Sequence, residues 1–361
     1  MRQAGKYEIG AELRTQISRL AKFLWAYKLG KTRLSYGPVF IWLEPTNRCN
    51  LRCPLCPTGE GLQRKWNDMS LELFREILEK LKKANPLLLT LHLAGEPLLA
   101  PNIFEMIRLA RAAGFQTTLS TNATLLTEEM SRRLIEAGLQ SIRLDFCSSK
   151  EKFEEVRRGA SWDKVYANII TLLKTKLELK SDIPVVRLKD VSAWGLAPGE
   201  RNERMGELRK LFEGYSIKGF STLRIHSWAG SFASKHSQSA DDSAQRRPRF
   251  NPCSHLWTSL AITSEGLVVP CCRDLQYECV LGDLKTQELD EIWNGEALIK
   301  MRRAMVKRDI SGIPLCSKCS KVNERLRIAY YAFGYIYMRL DLLITGIRQI
   351  LRPRKPQRLD D

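Results

Sequence analysis

Apolar positions in this chain fall into short continuous runs that alternate with stretches of helical period. Val39–Leu43, Leu88–Leu93, Phe115–Leu119, Ser141–Phe146, Pro184–Leu188 and Thr222–Ile225 predict six strands. Leu71–Leu81, Ile103–Ala112, Glu128–Ala137, Trp162–Thr175 and Glu203–Phe212 predict the helices between and after them. Ahead of the first strand, residues 8–29 predict an amphipathic helix, with Leu13, Ile17, Leu20, Leu24 and Tyr27 at helical spacing. Repeated strand–helix units imply parallel strands with covering helices, hence an α/β fold. Six units are too few for a closed eight-stranded barrel. Residues 231–251 are rich in Ser, Ala, Gln and charge without periodicity, and predict a linker. Beyond it, Leu260–Thr263 and Leu267–Pro270 predict a hairpin around Glu265-Gly266, and Asp290–Asn294 opens a helix.

Composition changes this picture little, and charge changes it at the ends. Of 361 residues 44% are hydrophobic, enough for a sizeable core. No run of 18 apolar residues predicts a membrane span, and the polar N-terminus lacks a signal-peptide pattern. The net charge is +18, of which residues 1–37 carry +6 and residues 321–361 carry +5. Basic ends suit an anionic surface. The tail adds the apolar run Ile328–Met338, with Tyr330, Tyr331, Tyr335 and Tyr337, and then basic Arg352–Lys355. That pattern fits an interfacial helix on the inner membrane face; packing on the barrel or on the N-terminal helix is the other reading. A cytoplasmic location, peripheral on the membrane, is expected. No nucleic-acid partner is.

Ten cysteines in a chain this long do not form a secreted disulfide pattern, and they suit a reducing compartment. Cys49, Cys53 and Cys56 have the spacing C-x3-C-x2-C, and no fourth ligand follows nearby. Closed zinc sites and ferredoxin-type 4Fe–4S clusters both use four ligands. Three thiolates on such a cluster leave one iron open to a cosubstrate. A second set, Cys253, Cys271, Cys316 and Cys319, could close either a 4Fe–4S cluster or a zinc site. Cys147, Cys272 and Cys279 are left over, and Cys272 competes with Cys271.

The first triplet, in Glu44-Pro-Thr-Asn-Arg-Cys-Asn-Leu-Arg-Cys-Pro-Leu-Cys-Pro57, resembles the signature of the radical S-adenosylmethionine (SAM) enzymes. Gly95-Glu96-Pro97 is similar to that superfamily's Gly-Gly-Glu-Pro, with Ala94 in place of the first glycine. Ser120-Thr-Asn122 is similar to its Ser-Thr-Asn-Gly. Residues 253–319 resemble the SPASM/twitch extension. Together the resemblance covers about residues 38–320. It implies a partial (β/α)6 TIM-type barrel with a small C-terminal iron–sulfur domain and a helical basic tail. The domains would be 1–37, a basic helix; 38–230, the radical SAM core; 231–251, a linker; 252–320, the auxiliary domain; and 321–361, the tail.

The resemblance further implies a SAM-binding 4Fe–4S cluster on Cys49, Cys53 and Cys56, and an auxiliary 4Fe–4S cluster on the second set. SAM would meet Gly95, Glu96 and Pro97. Ser120 and Asn122 would reach its carboxylate or cap a turn, Asp145 its ribose, and Arg157 its carboxylate, with Arg158 as a decoy. Leu55 would offer backbone to adenine, and His226 could contact substrate. The implied activity is reductive cleavage of SAM to a 5′-deoxyadenosyl radical that takes hydrogen from substrate. A one-electron reductant such as flavodoxin or ferredoxin would supply it. With 37 residues before the first strand and thus no peptide-recognition domain expected, the substrate expectation is a small, glycosyl or lipid-linked molecule. The alternatives are a peptide-modifying SPASM maturase, or a non-enzymatic iron–sulfur or zinc protein.

Overall fold

The computed structural model describes residues 15, 17–192, 196–223, 228–230 and 250–323. Six parallel strands run in the order β6-β5-β4-β3-β2-β1. They are β1 (Phe40–Leu43), β2 (Leu88–Thr90), β3 (Thr117–Thr121), β4 (Ser141–Phe146), β5 (Val185–Asp190) and β6 (Gly219–Thr222). Successive strands are neighbours, so every connection crosses the same face with a helix. Apolar residues alternate accordingly: Ile142, Leu144 and Phe146 of β4 are wholly buried. Phe146 packs beneath Phe153, Trp162, Tyr166 and Phe212. The opposite residues, Ser141, Arg143 and Asp145, face the inside of the half-barrel.

The sheet does not stop at β1. The hairpin expected near Gly266 is present as β7 (Ser259–Ile262) and β8 (Leu267–Val269), and β7 pairs in parallel with β1. β9 (Gly282–Asp283) completes a nine-stranded sheet. The C-terminal unit thus extends the barrel sheet through main-chain hydrogen bonds.

Several elements depart from their expected bounds: β2 ends at Thr90 rather than Leu93, and the helix expected from Glu203 begins at Pro198. β3 lies two residues later, because Thr117 and Thr121 continue the buried alternation that an apolar count ends at Leu119. β6 starts at Gly219, where glycine and Ser221 weaken the apolar signal. The N-terminal helix, described over 17–28, buries Leu20, Phe23 and Ala26 and leaves Ile17, Trp25 and Leu29 outside. Its inner face is therefore rotated from the expected stripe. Tyr27 explains the rotation: it stacks edge-on against Trp257 and its hydroxyl donates to the Pro252 carbonyl at 2.5 Å. No described helix is long and apolar enough to cross a membrane. The linker 231–249, His226 and the tail beyond Asn323 lie outside the described residues.

Candidate active site and auxiliary cysteine cavity

The cysteine loop leaves the carboxyl end of β1 and is anchored at both sides. Glu44, the first residue past β1, is fully buried. Arg64 grips both its oxygens at 2.6 and 2.9 Å. The Tyr277 hydroxyl and the Ser264 backbone N–H donate to the same carboxylate at 2.7 and 3.2 Å. This network joins the cysteine loop to the hairpin of the C-terminal unit. On the other side, Arg48 pairs with Asp68 at 2.6 Å, and its carbonyl accepts from the Glu96 N–H at 2.8 Å.

That last bond explains Gly95. A Cβ there would sit 2.5 Å from the carbonyl oxygens of Thr46 and Arg48. Only glycine lets the exit of β2 lie against the cysteine loop. Gly59 serves the same loop, since a Cβ on it would meet the Cys53 carbonyl oxygen at 2.2 Å. Thr58 then donates to the Ala94 carbonyl at 2.8 Å, fixing the loop to β2 a second time.

The predicted SAM residues divide into two kinds. Glu96 and Asn122 are bound up in structure. Glu96 accepts from the Thr121 hydroxyl and from the N–H groups of Asn122 and Leu98. Burial still pushes its carboxyl up to about 7 against those donors. Asn122 bonds Asn50 and Thr124, which ties β3 to the cysteine loop. Pro97 opens a single turn of 3-10 helix. Ser120 is half-buried and donates its N–H to His92 Nδ1.

Asp145 and Arg157 meet at the mouth of the barrel, 2.6 Å apart. Arg158, the decoy, is exposed. Burial raises the Asp145 pKa, but Lys189 and Arg157 more than offset it and leave the carboxyl below its usual range. Its Oδ1 is buried without a hydrogen-bond partner among the described residues. A buried open acceptor of this kind fits a hydroxyl donor such as a ribose. Arg157 also lies beside Cys53, whose thiol burial pushes up and Arg157 pulls down. Cys49 is pushed up to about 12, chiefly by burial. Metal or cluster binding at these thiols must release protons. The Leu55 carbonyl accepts from Trp228 Nε1 at 3.2 Å, which fixes this stretch of backbone and leaves the Leu55 carbonyl one lone pair.

Cys253, Cys271, Cys316 and Cys319 line one small pocket, together with His255 and Arg273. Cys272 is not among the lining residues, which separates it from Cys271. Arg273 donates to Cys319 Sγ at 3.6 Å. Among the described residues no three Cys, His, Asp or Glu side chains close on a single-ion site. The ligands of a cubane bind four different irons, so a cluster does not require that convergence.

The sequence missed the cations of the inner wall. Arg143, Arg187 and Lys189 share the face of Asp145, and a strand-alternation count would have found them.

A cysteine loop at the carboxyl end of the first strand of a parallel half-barrel, backed by a second cysteine-lined cavity, defines an iron–sulfur α/β-barrel class. Residues 43–190 match the Radical SAM superfamily, and residues 253–320 match SPASM, an iron–sulfur cluster-binding domain. The chain belongs to the radical SAM superfamily and carries a SPASM domain. That membership brings a 4Fe–4S cluster, SAM and auxiliary iron–sulfur as cofactors.

The PqqA peptide cyclase of Rhodopseudomonas palustris is 32% identical over 125 residues, covering 34% of this chain and 33% of that protein. SuiB of Streptococcus suis, solved with its precursor peptide SuiA, superposes with a TM-score of 0.59 at 17% identity, over 88% of this chain and 75% of SuiB. BtrN, solved with AdoMet and 2-DOIA, gives a TM-score of 0.54 at 18% identity, over 79% of this chain and 93% of BtrN. The matches to the first curated relatives span between 29% and 40% of their lengths.

Proposed function

We propose that this chain cleaves SAM reductively and directs the resulting radical at a peptide substrate. The observation that carries the first part is the loop of Cys49, Cys53 and Cys56 held against the exits of β2 and β3 through Gly95, Thr58 and Asn122. Cys49, Cys53 and Cys56 would hold the cluster, and Cys253, Cys271, Cys316 and Cys319 the auxiliary one. What the cluster supplies when bound is an electron for SAM's sulfonium, which yields methionine and a 5′-deoxyadenosyl radical.

The protein's own contributions follow from the geometry. Asp145 Oδ1 is open to a ribose hydroxyl. Arg157, oriented by Asp145, keeps further N–H groups for a carboxylate. The β2 exit offers backbone carbonyls to an ammonium. Glu96, Thr121 and Asn122 hold that exit and the end of β3 in one position.

The peptide reading is supported by the PqqA peptide cyclases of R. palustris and Gluconobacter oxydans among the relatives. The expected small, glycosyl or lipid-linked substrate has weaker support from them. Attachment to an anionic membrane rests on the basic ends and on the apolar, tyrosine-rich run Ile328–Met338; equal liposome flotation of the full chain and of one ending at Ser320 would remove the tail's part in it.

The test is anaerobic reconstitution followed by SAM, dithionite and short peptides encoded beside the gene. We expect 5′-deoxyadenosine, and a peptide product altered in mass or cross-linking. Absence of 5′-deoxyadenosine with every candidate would overturn the enzyme reading. Product with small molecules but no peptide would overturn the substrate class.

A further inference from the structure

The helix ahead of β1 is apolar on two faces. Leu20, Phe23 and Ala26 are buried on the inner one. On the outer one Ile17 and Trp25 are 55% and 66% exposed, and Ala21 and Leu29 are exposed with them. These four stand at every fourth position, so they form one ridge about 18 Å long. Leu29 belongs to it because its N–H still donates to the Trp25 carbonyl at 3.0 Å. Exposed Val306, at the end of the helix Glu296–Lys307, lies against Gly30, where a Cβ would come within 3.0 Å of it. The apolar surface thus continues onto a second helix.

The helix is held so that this ridge points outward. Tyr27 is fixed by Trp257 and by the Pro252 carbonyl. Just past the helix, Trp257 Nε1 donates to the Lys31 carbonyl at 2.7 Å, and Arg302 donates to the Thr32 carbonyl at 2.9 Å. One apolar face suffices to dock an amphipathic helix. A second, locked into solvent and rimmed by charge, marks a contact surface.

Charge identifies what covers it. No Asp or Glu occurs between Glu12 and Glu44, a stretch that carries six Lys and Arg. Lys22 and Lys28 are exposed and flank Trp25 at about 60° to either side around the helix. Lys31 and Arg33 are exposed just beyond its end. Beside Val306 the charges are mixed: Arg303 pairs with Glu296 at 3.0 Å, and Asp309 accepts from the Ser311 hydroxyl at 2.6 Å. The positive rim is therefore that of the N-terminal helix. A second copy of the chain, packed ridge to ridge, would set the same cations against each other. A bilayer of anionic lipids answers both features: tryptophan sits at the headgroup level, and lysine stems lie along the apolar surface while their ammonium groups reach phosphates.

We propose that the outer ridge of the N-terminal helix, Ile17, Ala21, Trp25 and Leu29 flanked by Lys22 and Lys28, seats the protein on an anionic lipid surface. The helix packs at the amino ends of the strands, where Arg19 donates to the Asn85 carbonyl ahead of β2 and Trp257 stands ahead of β7. The cysteine loop leaves the opposite, carboxyl end of β1. A membrane under the ridge leaves the mouth of the barrel open to the aqueous side. This surface gives the membrane reading above a contact face, and it needs neither the peptide reading nor the tail.

The experiment is flotation of the reconstituted full chain with vesicles of phosphatidylglycerol and of phosphatidylcholine. Binding to phosphatidylglycerol should be the stronger and should fall with added salt. Ile17→Ser/Trp25→Ser should lower the partition coefficient at least about tenfold. Lys22→Gln/Lys28→Gln should lower it about fivefold for each charge removed. Leu177→Ser, the same kind of change at an exposed position of the helix Trp162–Glu178, should float as the unaltered chain does. No flotation with phosphatidylglycerol, or undiminished flotation of the two ridge variants, overturns the proposal. Sedimentation without lipid supplies the competing outcome: a dimer that Trp25→Ser converts to a monomer assigns the ridge to a second copy and overturns the lipid assignment. Formation of 5′-deoxyadenosine with dithionite is read on the same preparations and should be unchanged in every variant, so failure of the SAM reading and failure of the lipid surface are told apart.

Discussion

Replacing Arg64 by alanine tests whether the Glu44 network holds the cysteine loop. Glu44 is fully buried and the Arg64 side chain is only 10% exposed, so the pair is shielded from solvent. A unit charge pair near 4 Å at an effective dielectric of about 20 is worth about 4 kcal/mol. The Tyr277 hydroxyl and Ser264 N–H remain on the carboxylate in the variant and soften the loss by about 1 kcal/mol. The expected cost is therefore about 3 kcal/mol, at the low end for breaking a buried pair. Urea unfolding of the cluster-free chain measures it. The double variant Glu44→Leu/Arg64→Met should recover most of the loss, because apolar replacement removes the stranded charge. The cycle should then give a coupling of at least about 2 kcal/mol. Iron content after reconstitution is the second readout, expected to fall in Arg64→Ala because the loop loses its anchor to β7 and β8. A destabilisation under about 1 kcal/mol, or additive singles, would refute the reasoning.

Three further outcomes are expected. Glu96 has its pKa raised from 4.5 to about 7 in the fold, so the native state binds the extra proton. Its stabilising contribution is complete below about pH 4.5 and lost as pH rises through about 7, a change of about 3 kcal/mol. Denaturation of Glu96→Gln against the unaltered chain at pH 5, 6, 7 and 8 should show that difference; parallel curves would contradict it. Cys271→Ala should lose about four irons per chain while Cys272→Ala keeps them, and the reverse would exchange the two ligands. Gly95→Ala should cost about 1–3 kcal/mol by overpacking two carbonyl oxygens and should lower SAM affinity, read by equilibrium dialysis. Unchanged stability and affinity would show that the loop can move aside.

The sequence by itself determined the parallel α/β core, because strand and helix periods repeat along 39–212 and depend on local chain geometry. It also determined the cysteine chemistry, since thiolate spacing within one loop is a property of the chain. The tertiary structure alone decided which polar groups serve the fold and which stay available. In their motifs Asn122 and Glu96 read as ligand residues; the fold also gives their side chains structural partners in Asn50, Thr121 and Leu98. Arg302 looks like a surface residue of a polar helix, yet it is wholly buried. It bonds the carbonyls of Leu256, Thr32 and Trp293. Arg143, unremarkable in sequence, is left facing the barrel interior beside Arg187. Hydrogen bonds and charge balance are set by distances between residues remote in sequence, which no local pattern encodes.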